Sequence, residues 1–248
     1  ENLILEPLAS SLSVLSDEEK EAGVCLVDIG GGTTDVAIFH DNIIRHTAVI
    51  PFGGNIITSD IKQGCMVLTH QAESLKTKFG MAIAEEAKEN EIITIPGLRN
   101  RPPKEISVKN LASIIEARME EIIELVHAEI ISAGYEGKLS GGIVLTGGGA
   151  QLSCVKQLVE YVTGMDARIG YPNEHLGKSS GELKSPMYAT AIGLVLSGFM
   201  ALDDREERYN QMQPDGRKRS ARDNGGFFKK IMEKTKLLLV DDLDSKDY

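Results

Sequence analysis

Between Val27 and Val36 the chain reads Asp28-Ile29-Gly30-Gly31-Gly32-Thr33-Thr34-Asp35, with two carboxylates and two hydroxyls around three successive glycines. Glycine takes positive φ without a Cβ clash, so the backbone can curl until several N–H groups face one point, a nest suited to phosphate oxygens. Thr33 and Thr34 would add hydroxyl donors, and Asp28 and Asp35 are placed to orient a hydrated metal or a water beside the anion. A P-loop and a dinucleotide fingerprint both open a helix after their glycines. Here the apolar run Val36-Ala37-Ile38-Phe39 follows, so the loop reads as a hairpin turn. From these residues alone, a plain glycine-rich turn is the alternative. A second run, Gly147-Gly148-Gly149-Ala150, follows the strand-like Gly142-Ile143-Val144-Leu145-Thr146. It is expected to open a helix reaching about Gly164, whose N-terminal amides and dipole favour an anion or a polar ligand edge.

Several elements must position these loops. Apolar spacing predicts a helix within Leu3 to Leu15 and a solvated helix end or loop over Ser16 to Glu21. Three antiparallel strands then follow one another: Val24 to Val27 with its continuation, Val36 to Phe39, and Ile43 to Ile50 beyond a turn at His40-Asp41-Asn42. Pro51-Phe52-Gly53-Gly54-Asn55 breaks that pattern, and Ile56 to Leu68 has helical period. Over His70 to Gly80, Glu73 and Lys76 lie one helical turn apart, by themselves an exposed ion pair. Glu91 to Pro96 reads as a short strand, and Arg99 to Lys104 as an extended basic loop around two adjacent prolines. From Ser107, a plausible N-cap, a long amphipathic helix runs to about Ala133 and stops at Gly134. Ala167 to Gly170 is a further strand, and Ser185 to Leu202 a mostly apolar helix that reads as buried rather than membrane-spanning.

The 248 residues are 42% hydrophobic and suffice for one large domain or two small ones, and a net charge of −10 gives no reason to expect nucleic acid. Cys25, Cys65 and Cys154 are far apart and odd in number, against a disulfide framework or a paired-cysteine metal site, and the histidines show no metal-ligand spacing. The chain begins at Glu1 without a methionine and reads as the C-terminal part of something longer.

Asp203 to Asn224 is charged and polar, the composition of a disordered tether. Beyond Gly225-Gly226, a helical layout at about 100° per residue gathers Phe227, Phe228, Ile231, Met232, Thr235, Leu238 and Leu239 into an arc of roughly 140°, with four lysines outside it. Each large apolar side chain gains roughly 1.5–3 kcal/mol when buried, and each lysine roughly 1 kcal/mol near anionic lipid, magnitudes that suit reversible surface binding. A helix docking on this protein or a partner is the alternative; the tether favours the membrane, whereas Asp241, Asp242, Asp244 and Asp247 oppose it.

The two glycine loops, one in a hairpin and one between strand and helix, form the pattern of the second half of the actin superfamily. More closely, Val24 to Asp35, Arg45-His46-Thr47, Ile50-Pro51, Gly53-Gly54-Asn55, Thr58-Ser59-Asp60-Ile61, Arg101-Pro102-Pro103, Gly142 to Gly148 and Arg168-Ile169-Gly170 resemble the FtsA family of bacterial cell-division actin homologues. The resemblance implies an α/β fold: an actin-like (ribonuclease H-like) mixed sheet with helices on both faces. Residues 1–54 and 136–202 would form the nucleotide subdomain, 55–135 an inserted smaller α+β subdomain, 203–224 the linker and 225–248 the membrane-targeting tail. By resemblance, Gly30, Gly31, Gly32, Thr33 and Thr34 hold the β- and γ-phosphates of ATP. Asp28 is the acid near Mg2+ and the attacked water, Glu73 and Lys76 contact the adenosine, and Gly147, Gly148 and Gly149 form the adenosine loop.

Lys104 and Arg118 match basic residues that dock the C-terminal peptide of the tubulin homologue FtsZ; from the residues alone, Arg118 pairs with Glu116 or Glu121 on its own helix. Phe227, Phe228, Ile231, Leu238 and Leu239 would enter the inner membrane. The implied protein is a scaffold that self-associates into actin-like filaments at the division septum and is at most a weak ATPase. The family's first phosphate loop lies N-terminal to Glu1, so little ATP affinity is expected of this chain alone. Rival readings within the superfamily are a sugar kinase, a chaperone ATPase and a PilM-like pilus-assembly module.

Overall fold

A computed structural model describes residues 3–97, 102–172, 176 and 181–212. The tail at 225–248 and the basic residues Arg99 and Arg101 lie outside the described residues.

Helix α1 (Glu6–Val14) has Pro7 in its first turn, and α2 (Asp17–Ala22) starts in a capping box in which Ser16 and Glu19 exchange side-chain-to-backbone bonds. The stretch read as a solvated helix end is therefore a helix of its own. Strands β1 (Val24–Ile29), β2 (Thr34–His40) and β3 (Ile43–Ile50) form the expected antiparallel meander, with Ile29 opposite Thr34 across the glycine turn. Next come α3 (Gly54–Gly64), α4 (Thr69–Phe79), β4 (Ile92–Ile95), β5 (Lys104–Ser107) and α5 (Val108–Ser132). The side chain of Ser107 caps α5 by accepting from the Asn110 amide, and Gly134 ends the segment at φ 75°. Strand β5, which starts at the last residue of the expected basic loop, pairs antiparallel with β4. Strand β6 (Ile143–Thr146), helix α6 (Val155–Thr163), β7 (Ala167–Ile169) and α7 (Ala189–Met212) complete the order.

The main sheet runs β3-β2-β1-β6-β7, with β1, β6 and β7 parallel. Period-two alternation sorts β1 between two cores. Cys25, Val27 and Ile29 pack with α3, α5 and α6, whereas Val24 and Leu26 face α1 and α7 with Val14 and Ala189. The sheet is mixed and covered by helices on both faces, as the sequence implies. One continuous apolar cluster joins Val27 and Ile38 of the sheet to Ile57, Leu111 and Met119.

Helix α7 corrects two expectations. It continues to Met212 instead of yielding to a tether at Asp203. It is also largely exposed: Ala189 and Gly193 are buried, while Leu194, Val195, Met200 and Leu202 face outward. Its contact with α1 includes Ala189, Thr190 and Gly193, which meet Ser13, Ser10 and Ala9. By length and composition Pro186–Asp203 is also apolar enough to cross a membrane, with a mean hydropathy of 1.3.

Candidate functional site

Because Asp28 lies opposite Thr146 across the parallel β1–β6 pair, the two glycine loops leave the sheet at the same end. The first is a tight turn closed by the Gly30 amide donating to the Thr33 carbonyl at 2.9 Å. None of Gly30, Gly31 and Gly32 has positive φ, contrary to the curl expected of them. The clearance that shapes the turn is that of Gly53, where a Cβ would fall 2.7 Å from the Gly30 carbonyl oxygen. That approach lets the Gly54 and Asn55 amides at the start of α3 donate to the Gly30 and Gly31 carbonyls at 2.9 and 2.8 Å. Gly31, Gly32 and Thr33 remain exposed, and among the described residues their amides have no acceptor. Three free donors on one turn fit an anion.

The two threonines divide. Thr33 is exposed and its hydroxyl donates to Asp35 at 3.2 Å. Thr34 is fully buried and spends its proton on the Phe52 carbonyl at 2.8 Å, which holds the lead-in to α3 and leaves no hydroxyl donor for a phosphate.

Asp28 continues the alternation of Val24 and Leu26, so its carboxylate turns toward α1 and α7 and is only 6% exposed. The Ser10 hydroxyl of α1 donates to its Oδ2 at 3.0 Å, and the Thr190 hydroxyl of α7 lies at 3.2 Å. Burial pushes the Asp28 carboxyl above its ordinary range, the two hydroxyls oppose that, and the charge of Asp35 adds to it. Glu6, in the first turn of α1, is raised by burial and by the charges of Asp35 and Asp28. Glu6 is thus a third acidic residue whose charge couples to Asp28 and Asp35, a neighbour the sequence reading missed. Its position before Pro7 signals a helix start, and only the packing of α1 brings it to the loop.

A carboxylate whose folded pKa is raised contributes stability that is complete below its unfolded value and lost as pH climbs through the folded one. At neutral pH ionised Asp28 is therefore a net cost, relieved on acidification between its higher folded value and the ordinary 3.8. Asp28→Asn keeps an acceptor toward Ser10 and removes the charge. It is expected to raise stability at pH 7 by about 1 kcal/mol, or roughly 2–4 °C in Tm, with the gain shrinking through that window. Thermal unfolding at several pH values checks this; a wild type more stable than the variant at pH 7 contradicts it.

The second loop is also tight. Gly147 has φ 83°, its amide donates to the Pro186 carbonyl at 3.2 Å, and Gly148 is exposed. The helix expected to open directly from these glycines does not. A short turn at Gly149–Gln151 intervenes, and α6 starts only after Cys154, which adopts the left-handed conformation at φ 62°. The α6 N-terminus therefore does not belong to the glycine loop.

Helix α4 links the two loops. Its first half walls a groove of about 790 Å3 together with α3, lined by Asn55, Thr58, Ser59, His70 and Glu73. Its last turn ends at Gly80, whose carbonyl accepts from the Ser153 amide just beyond the second loop. Glu73 accepts from the Thr58 hydroxyl at 2.6 Å and from Lys76 at 2.8 Å. Burial pushes the Glu73 carboxyl up, but those hydrogen bonds outweigh it and hold the group below its ordinary value. Glu73 faces the groove; Lys76 does not line it and lies beneath.

Arg118 donates to both oxygens of Asp60 on α3, at 2.6 and 3.2 Å, and also pairs with Glu121 one turn away. Its own-helix pairing is thus joined by an inter-helix one. Lys104 is exposed, and its charge acts on Cys65 at the end of α3. The two cations therefore flank the α3–α5 seam.

Residues 25–193 match the family described as Cell division protein FtsA. The chain belongs to the FtsA family. It is 43% identical over 204 residues to FtsA of Pseudomonas aeruginosa, covering 82% of this chain and 49% of that protein. To FtsA of Escherichia coli K12 it is 38% identical over 205 residues, covering 80% and 49%, and to FtsA of Bacillus subtilis 39% over 194 residues, covering 78% and 42%. It spans about half the length of these FtsA relatives. Among solved structures, MreB5 of Spiroplasma citri bound to ADP aligns with a TM-score of 0.66 at 20% identity, over 82% of this chain and 61% of that one. The PilM–PilN type IV pilus biogenesis complex aligns with 0.59 at 19%, over 79% and 52%. These likenesses are of fold, and they give this FtsA-family chain an actin-like fold.

Proposed function

We propose that this chain belongs to an ATP-binding, actin-like scaffold that recruits FtsZ filaments and tethers them to the inner membrane at the division septum. The observation that carries the reading is the convergence of the two glycine loops at one end of β1 and β6, with free amides on one and an exposed glycine on the other. Gly31, Gly32 and Thr33 would hold the terminal phosphates, Glu73 and Gly148 the adenosine side, and Asp28, Asp35 and Glu6 a hydrated Mg2+ that neutralises them. The groove beside Glu73 has the volume of a small-molecule site. MreB5, a fold relative, is described as bound to ADP.

For the partner, Lys104 and Arg118 present positive charge along the α3–α5 seam, which suits the acidic, apolar FtsZ tail peptide. Arg118 is shared with Asp60 and Glu121, so the peptide must compete for it, whereas exposed Lys104 has no such cost. In fluorescence anisotropy with the FtsZ tail peptide, Lys104→Glu is expected to weaken binding by about five- to tenfold at low salt, with the difference shrinking as salt rises. Unchanged affinity would remove the seam from the reading. For the tail, wild type is expected to float with anionic vesicles and Phe228→Glu to remain in the bottom fraction. A variant that still floats contradicts the anchor.

A further inference from the structure

Lys76 sits where the family resemblance puts an adenosine contact, yet its surroundings suit a different task. Its ammonium has three N–H donors and three acceptors: the Gly54 carbonyl at 2.9 Å, the Thr58 hydroxyl oxygen at 2.8 Å and the Glu73 carboxylate at 2.8 Å. The side chain is only 13% exposed and does not line the groove. No donor is left for a ligand unless one of these bonds breaks. The Gly54 carbonyl belongs to the residue whose amide donates to Gly30, and the Asn55 amide beside it donates to Gly31. The ammonium therefore grips the first turn of α3 from below while that turn grips the phosphate hairpin from the side.

We infer that Lys76 is a positioning residue: it clamps the Gly54–Thr58 turn against the Gly30–Thr33 hairpin, and so sets the phosphate side of the nucleotide site without touching the nucleoside. The nucleotide half of this statement rests on the function proposed above; the clamp does not. Thr58 is part of the same device. Its single proton reaches Glu73 at 2.6 Å or the Gly54 carbonyl at 3.0 Å, and in either case its hydroxyl oxygen accepts from Lys76, so the groove-facing carboxylate and the hairpin support are fixed by the same cation.

Amide exchange and chemical-shift titration by NMR separate the clamp from the ligand reading. In Lys76→Met, exchange of the Gly54 and Asn55 amides is expected to accelerate by about tenfold or more, while amides in the middle of α5 keep their protection. Titrations with ATP and with adenosine, both readable at millimolar dissociation constants, are expected to show ATP weakened by about tenfold and adenosine within about twofold of wild type. Gly54→Ala, whose Cβ would stand 3.2 Å from the Lys76 ammonium and 3.5 Å from the Gly30 carbonyl oxygen, should act in the same direction to a smaller extent. That variant decides the matter if Lys76→Met does not fold. Unchanged exchange at Gly54 and Asn55 in a folded variant overturns the clamp. Equal losses for ATP and adenosine make Lys76 a nucleoside contact and overturn the positioning role. Wild type that binds neither ligand removes the nucleotide reading alone, and the exchange result still decides the clamp.

Discussion

Gly193→Ala is expected to destabilise the chain by about 3 kcal/mol or more, a fall of roughly 6–12 °C in Tm. A Cβ at this position would stand 1.7 Å from the Ala9 carbonyl oxygen and 2.3 Å from its carbon, both backbone atoms that cannot rotate away. Helices α1 and α7 would have to separate by more than 1 Å, and core packing does not give by that much without losing contacts. The loss reaches the site, because Ser10 of α1 and Thr190 of α7 both bond to Asp28. Alanine is intrinsically the better helix former by about 1 kcal/mol, so the clash must first cancel that gain. Gly198→Ala on the same helix is the internal control: a Cβ there meets nothing within 4 Å, and this variant should be neutral or slightly more stable. Circular dichroism melts that place the two variants together would mean the helices do not cross at Gly193.

Gly147→Ala is expected to cost a comparable amount for a different reason. The residue holds φ 83°, where an L side chain loses about 1–2 kcal/mol, and its Cβ would fall 2.3 Å from Asp28 Oδ1 and 2.6 Å from the Ile29 carbonyl oxygen. Both neighbours belong to β1 in the centre of the sheet, so relief would require separating β1 from β6 at the end where the glycine loops meet. A loss of about 3 kcal/mol follows, seen as a shifted denaturation midpoint with an unchanged slope. Gly148→Ala separates stability from binding. Gly148 has φ −64° and open space around it, so alanine there should leave the midpoint within about 0.5 kcal/mol of wild type. A Gly147→Ala chain as stable as wild type would mean that the second loop does not press against β1.

Much of the architecture is legible without coordinates, because its signals are local. The apolar runs Val24 to Val27 and Val36 to Phe39, the apolar period ending at Gly134 and the Ser107 cap are local features that act through the backbone they belong to. Strand β5 escaped because four mostly exposed residues carry little periodicity, and the prolines before Lys104 read as loop. The second loop was read as a helix start because a glycine after a strand is compatible with one; Cys154 in the left-handed region gives no warning in its own residue type.

The residue types, their spacing and the resulting strand–turn–strand hairpin were thus determined by the sequence itself, as was the family. Only the tertiary structure decided where the polar atoms point. It turned Asp28 toward Ser10 and Thr190, gave the Thr34 proton to Phe52, brought Glu6 to the loop, left one side of α7 uncovered and consumed all three donors of Lys76. The reason is one of range. Backbone propensity is settled within a turn or two, whereas the partner of a hydroxyl or an ammonium is set by which distant element packs over it, at separations as large as the 180 residues between Ser10 and Thr190.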